Sequence, residues 1–218
     1  MRRPGVVVRI TTVGVGAVYA VVLYLVGIRL ELGVRQGLAY LPALAALLLI
    51  AWDLWVWRWP LIWRATSRPR VDGLWAVQLH PTEESHIPPD GDRGPIDAYV
   101  VVKQTYWTIV VRQFTAESSS ISRSYFWDAA HGTGTDWLTF IYDNTPAQRH
   151  QRRSQRHLGA CSLHPGNRRP TEIEGIYFTD RYTKGDITMT LVSRNTDAGS
   201  FGEAARKQAE AAAEQARS

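Results

Sequence analysis

Two long apolar runs open the chain, and a series of short alternating segments follows them. The first run extends over residues 10–28 without a charge, and the second over 38–57 with only Asp53 inside it. A helix needs about 20 apolar residues to cross the hydrocarbon core of a bilayer, and each run is that long. From Val71 onward the period changes to two. The alternating segments are Val71–Leu79, Ile96–Lys103, Tyr106–Phe114, Ser119–Asp128, Trp137–Tyr142, His157–Leu163, Glu172–Phe178 and Ile187–Ser193. Val, Ile, Thr, Tyr, Phe and Trp dominate them, as strands on a half-buried surface require. Turn-forming clusters separate them at Pro88–Pro95, Gly132–Thr135, Asp143–Pro146, Pro165–Pro170 and Lys184–Asp186.

The pattern predicts a transmembrane two-helix hairpin over 1–64, an all-β domain over 65–195 and an Ala- and Glu-rich tail over 196–218. About eight strands with local connections predict a small closed antiparallel barrel of the up-and-down type, since closure removes exposed sheet edges. The tail has good helix propensity and few large apolar residues, which predicts a solvated helix or disorder. Within the hairpin, Gly14, Gly16 and Ala20 permit close helix approach. Pro42 suits the first turn of the second helix. Trp52, Trp55, Trp57, Trp59 and Trp63 form a headgroup-level belt, with Asp53 at the same interface.

Charge adds orientation. The formal net charge is +5, which invites a nucleic-acid partner, but many arginines flank the apolar runs. Arg2, Arg3 and Arg9 precede the first run, and Arg58, Arg64, Arg68 and Arg70 follow the second. The connecting turn holds Arg29, Glu31 and Arg35. This bias places both termini and the β domain in the cytoplasm, and no polymeric nucleic acid is expected as a partner. A cleaved signal peptide is the competing reading of the first run; its length and the second run close behind it argue against that. The single cysteine, Cys161, excludes an internal disulfide framework and fits a reducing compartment.

The strand phase points to a ligand. Tyr177, Thr179 and Arg181 share one face of the 175–182 segment, opposite Ile176, Phe178, Asp180 and Tyr182. Ser120, Ser122 and Ser124 share a face, as do Trp107, Ile109 and Val111. Aromatic rings stack on bases, and arginine pairs bidentately with phosphate. Such faces also suit plain solvent exposure, and both readings stand at this point. The loop from Arg149 to His157, with Arg152, Arg153, Arg156 and His150, is a solvated basic loop or a funnel for an anion. No catalytic constellation is visible: His80, His86, His131, His150, His157 and His164 lack metal-ligand spacing, and there is no nucleophile elbow or phosphate loop. Glu83 and Glu84, like Asp90 and Asp92, read as solvated loop carboxylates. The chain is therefore not expected to be an enzyme, and neither metal nor cofactor is expected.

Several short motifs together resemble the two-transmembrane, β-strand-rich effectors of cyclic-oligonucleotide-based antiphage signalling (CBASS). They are the hairpin, Arg70-Val71-Asp72-Gly73-Leu74-Trp75 and the Ser118-Ser119-Ser120 run. Leu138-Thr139-Phe140-Ile141-Tyr142, His157-Leu158-Gly159 and Gly175-Ile176-Tyr177-Phe178-Thr179-Asp180-Arg181 complete the set, with Thr183 and Gly185 following. The 149–156 insertion and the tail are not part of that resemblance. It implies a cytoplasmic barrel that binds a cyclic di- or oligonucleotide messenger, homo-oligomerisation in the bacterial inner membrane, and membrane disruption that ends in abortive infection. Combined with strand phase, it makes Tyr177, Thr179 and Arg181 the ligand wall. Trp75, Trp107, Ser120 and Ser122 are further candidates, and Trp75 also suits a plug at the barrel's closed end. A membrane-anchored lipocalin-like module for a lipid or other apolar metabolite is the alternative. It requires the apolar face of 175–182 to point inward. A membrane-bound enzyme would instead require converging titratable groups in a pocket.

Overall fold

The computed structural model describes residues 4–26, 32–62, 66, 68–87, 89, 91–128, 137–151 and 155–217. In the first two helices it describes the side chains of 10, 12–24 and 40–54. Arg2, Arg3, Arg29, Glu31, Trp63, Arg64, Pro88, Asp90, the 132–135 turn, Arg152 and Arg153 lie outside the described residues, as do the side chains of Arg9 and Arg35.

The alternating segments form eight strands: β1 (Gly73–Pro81), β2 (Ile96–Gln104), β3 (Ile109–Thr115), β4 (Ser118–Asp128), β5 (Trp137–Pro146), β6 (His157–His164), β7 (Glu172–Thr179) and β8 (Lys184–Ser193). Each pairs antiparallel with the next, and β1 pairs with β8, so the sheet closes into an up-and-down barrel. Inward positions alternate as period two requires. Trp75 and Val77 of β1, Val100 and Val102 of β2, Leu138 and Phe140 of β5, and Ile187 and Met189 of β8 are buried in one core.

That core fills one half of the barrel. Its end is plugged by Trp75, which is fully buried and donates its indole N–H to the Val71 carbonyl at 3.0 Å. The Arg194 guanidinium lies 5.6 Å from the Trp75 ring centroid and donates to the carbonyls of Arg70, Asp72 and Pro170. Buried Gln104 accepts from the Val71 amide and donates to the Pro69 carbonyl. The Trp75 indole, the Gln104 amide and the Arg194 guanidinium thus all have partners, which spares the plug the cost of orphaned donors.

One strand departs from simple alternation. β4 carries a bulge between Ser122 and Ser124, opposite Tyr142 and Ile141 of β5. The extra residue, Arg123, reverses the phase. Ser124 therefore does not share the inward face of Ser120 and Ser122, and Tyr125 and Trp127 pack against the core instead.

Of the two expectations for the tail, a solvated helix or disorder, the structure has the helix, with its first turns docked rather than solvated. α3 (Phe201–Gln215) packs on the outer wall of the barrel. Ala198 and Ala204 are buried there with Leu74, Tyr99, Val101 and Phe114. Small alanines serve where large side chains would not, because they let the helix backbone approach the sheet. A capping box starts the helix: Ser200 accepts from the Glu203 amide, and the Glu203 carboxylate accepts from the Gly199 amide.

Residues 1–66 form a separate compact unit together with 105–108. It contains α1 (Pro4–Val26) and α2 (Leu32–Leu54). Counted over the described residues, no helix is long and apolar enough to cross a membrane. Val13, Val18, Leu44, Leu47 and Leu48 are all more than half exposed. α2 begins ahead of Pro42, which lies inside it rather than in its first turn. A methyl on Gly16 would stand 2.8 Å from the Pro42 Cβ, so Gly16 is a point where the helices meet; among the described residues nothing lies within 4 Å of a methyl on Gly14. Asp53 is fully buried. Its carboxylate accepts from the Trp107 amide at 3.1 Å, and its carbonyl accepts from the Tyr106 amide and the Trp57 indole.

Candidate ligand-binding cavity

The half of the barrel opposite the plug is not filled. There the inward side chains shorten or become polar, and they enclose a cavity of about 880 Å³. That volume suits a small organic ligand, for which sites span roughly 300–1,000 Å³. The floor is Leu79, Ile187 and Cys161, where the apolar core ends. The wall above carries Tyr142 and Asn144 of β5, His157 of β6, and Tyr177 and Thr179 of β7. Arg181 and Thr183 of the β7–β8 turn continue it. Gln113, Thr115, Ser118 and Ser120 line the opposite side.

The β7–β8 turn is built to present its hydroxyls and guanidinium. The Thr179 Oγ1 accepts from the amides of Arg181 and Thr183, both at 3.3 Å. Tyr182 adopts φ 61 at the apex, a conformation that is uncommon for a residue with a side chain. Ile176, Phe178 and Tyr182 point outward and are exposed, so Tyr177, Thr179 and Arg181 form the inward face. The Asp180 carboxylate accepts from the Leu158 amide on β6 and ties the turn to the neighbouring strand.

Burial tunes the titratable groups. The Tyr177 hydroxyl is pushed up to about 12 by desolvation, with a contribution from Asp186. The Tyr142 hydroxyl is raised further, mainly by burial, and the positive charge of Arg181 opposes that rise. Both phenols are neutral donors at physiological pH. Burial also lowers the His157 imidazole, and the Arg181 charge adds to this. The His157 Nδ1 lies 3.1 Å from the Gln155 carbonyl, which can only accept. The same Nδ1 lies 3.4 Å from the Asn144 amide nitrogen, so β5 and β6 meet at this ring. Cys161 is buried and its thiol is raised by desolvation, so it is not a ready nucleophile.

One close approach shapes the wall. Tyr142 pairs across the sheet with Gly159. A methyl on Gly159 would overlap the Tyr142 Cζ and hydroxyl and stand 2.8 Å from Cε2. Glycine here leaves room for the phenol to lie against β6.

The residues singled out from the sequence fall in four places. Tyr177, Thr179, Arg181 and Ser120 come together on the cavity wall. Ser122 lies one step deeper in β4, where its hydroxyl accepts from the Val111 amide. Trp75 belongs to the plug, and Trp107 lies in the 105–108 segment that goes with the helices. Sequence reasoning did not name Tyr142, Asn144 or Thr183 as site residues. The period-two phase of Leu138–Tyr142 held the signal for Tyr142, because Leu138, Phe140 and Tyr142 share its inward face.

On the outer wall, Asp143 bridges Arg123 and Arg156. The Arg156 hydrogen bond, then that of Arg123, holds the Asp143 carboxyl well below the usual carboxylate range. Arg156 of the basic loop is thus tied to the sheet. His150 of the same loop sits 4.0 Å from Glu117 in the β3–β4 turn. Among the described residues, no group of His, Cys, Asp and Glu side chains could hold a metal ion.

The barrel is closed, plugged at one end and hollow at the other, with aromatic, hydroxyl and cationic groups around the hollow, an arrangement with room for a small ligand. The family model described as Cap15, cyclic dinucleotide receptor domain, matches residues 66–191, more than half of the chain. The chain belongs to that family, which is one of receptors rather than of catalysts. The matched region is the barrel and excludes α1, α2 and α3. No curated protein matches the chain.

Proposed function

We propose that this protein is a CBASS effector whose barrel binds a cyclic dinucleotide messenger in the hollow half. The observation that carries this reading is the composition of the inward face: Tyr177, Thr179 and Arg181 with Tyr142, in a barrel of the Cap15 receptor family. The two phenols flank bases, and stacking on an aromatic ring is worth roughly 1–3 kcal/mol per base. Arg181 pairs with a phosphate in charge-assisted hydrogen bonds. The hydroxyls of Thr179, Thr183 and Ser120 supply further donors. His157 adds an imidazole to the same wall. The lipocalin-like alternative needs the apolar face of β7 inward, and Ile176 and Phe178 are both about half exposed on the outside.

In the same reading the helices are the output. The apolar runs 10–28 and 38–57 cross the bacterial inner membrane, with both termini and the barrel in the cytoplasm. Support comes from run length, from the charge bias, and from the apolar side chains that the two helices leave uncovered. Messenger binding favours an assembled state in which hairpins of several copies pack and disrupt the bilayer. The ligand shifts that equilibrium only by its differential affinity for the two states.

The test uses the full chain in vesicles of anionic phospholipid loaded with a self-quenched dye. Cyclic dinucleotide is expected to release dye from vesicles carrying the wild-type protein and not from those carrying Arg181→Ala. Saturable binding without release at any protein density would remove the membrane-disruption half of the proposal.

A further inference from the structure

Phe201 occupies two environments at once. It opens α3 and its ring meets Tyr99 edge-on, with centroids 5.2 Å apart. It also lines the mouth of the 880 Å³ cavity, beside Ile96, Asp97 and Thr115. Phe201 lies outside residues 66–191, so the receptor domain proper does not include it.

The seating of α3 is strong at its start and slack beyond it. Ala204 is fully buried and the capping box fixes the first turn. One turn further, Gln208 meets the Tyr99 hydroxyl at 2.5 Å. A second cavity of about 570 Å³ runs between the helix and the barrel from Phe201 past Gln208 to Gln215, with Tyr99, Thr188 and Leu191 on the barrel side. A helix held at one end over an underfilled groove has a low cost of local opening. Its held end is the residue that faces the ligand.

We infer that Phe201 is a ligand-contacting residue supplied by α3, and that occupancy of the barrel and docking of α3 are coupled through it. This rests on the reading of the cavity as a cyclic-dinucleotide site. A ligand at the mouth packs against a ring that is in place only when α3 is docked. It therefore binds the docked state more tightly and stabilises α3, and the coupling is reciprocal.

The experiment is hydrogen exchange and calorimetry on the full chain in lipid nanodiscs, with cyclic di-GMP, cyclic di-AMP and cyclic di-UMP as probes. A saturating probe is expected to slow amide exchange across residues 203–212 several-fold. Phe201→Ala is expected to weaken binding by about fivefold or more, the low end for one lost aromatic contact. Phe201→Trp, which keeps a ring there, is expected to stay near wild-type affinity. Wild-type affinity in Phe201→Ala, together with α3 exchange that ignores a bound probe, overturns the inference and leaves the receptor reading standing if Arg181→Ala still weakens binding about tenfold or more. Failure of the wild-type chain to bind any probe overturns both. The exchange measurement on wild-type protein needs no variant, so a folding defect in Phe201→Ala does not shield the inference.

Discussion

Replacing Gly159 by alanine tests whether the cavity wall is as tightly built as the geometry says. The added methyl would overlap the Tyr142 ring, with Cε2 only 2.8 Å away, and real Cβ atoms do not approach so closely. Tyr142 cannot retreat freely, because its ring is about 9% exposed and packs with Phe140 at a centroid distance of 6.2 Å. Overpacking of this kind costs about 1–3 kcal/mol. For a chain of this size each kcal/mol moves Tm by about 2–4 °C, so the expected loss is roughly 2–12 °C by differential scanning fluorimetry. Ligand affinity falls as well, since the displaced phenol lines the cavity. A double-mutant cycle isolates the cause. In a Tyr142→Ala background the space is free, and the Gly159→Ala penalty is expected to drop below about 0.5 kcal/mol. An equal penalty in both backgrounds, or none in the wild type, would refute the reasoning.

Four further outcomes follow from named contacts. Arg181→Ala is expected to weaken cyclic-dinucleotide binding about 10- to 150-fold, the value of one charged hydrogen-bonding group, while its circular dichroism spectrum and Tm stay near wild type. Trp75→Ala removes a fully buried plug and its indole hydrogen bond, and is expected to cost about 3–5 kcal/mol in chemical denaturation with little change in ligand affinity for the folded protein. Asp143→Asn removes the carboxylate that Arg156 and Arg123 hold ionised in the folded state. Because the folded value is depressed below the unfolded one (about 3.9), that stabilisation is full above about pH 5 and fades as pH falls through the carboxylate range. The Tm gap between wild type and variant therefore closes on acidification. His157 is a base whose folded value is also depressed. The unfolded chain then binds its proton first, so stability falls as pH drops through about 6.5, and His157→Gln flattens that part of the Tm profile.

Much of the barrel was legible because a strand writes its two faces into the sequence directly. Period two placed Tyr177, Thr179 and Arg181 on the face opposite Ile176 and Phe178, and the structure has that phase. The same logic fails where one residue is inserted: the bulge at Arg123 turns Ser124 outward and Tyr125 inward, and nothing in local composition announces it. Tyr106–Trp107–Thr108 read as the start of a strand because aromatic and β-branched residues favour one. Instead the Tyr106 and Trp107 amides donate to Asp53, the Thr108 amide donates to the Thr105 hydroxyl, and the 105–108 segment joins the helical unit. α3 looked too poor in apolar side chains to dock, yet alanine is what a helix lying close against a sheet needs. Tyr142 and Gly159 form a site feature only across strands, through a register that single-strand periodicity does not fix.

Isothermal titration of the full chain, in lipid nanodiscs, against a panel of cyclic dinucleotides and against a fatty acid tests the central claim most directly. Saturable binding of at least one cyclic dinucleotide, weakened about tenfold or more in Arg181→Ala, and no uptake of the acyl chain is the result predicted. Tight binding of the fatty acid with no heat from any cyclic dinucleotide would contradict it.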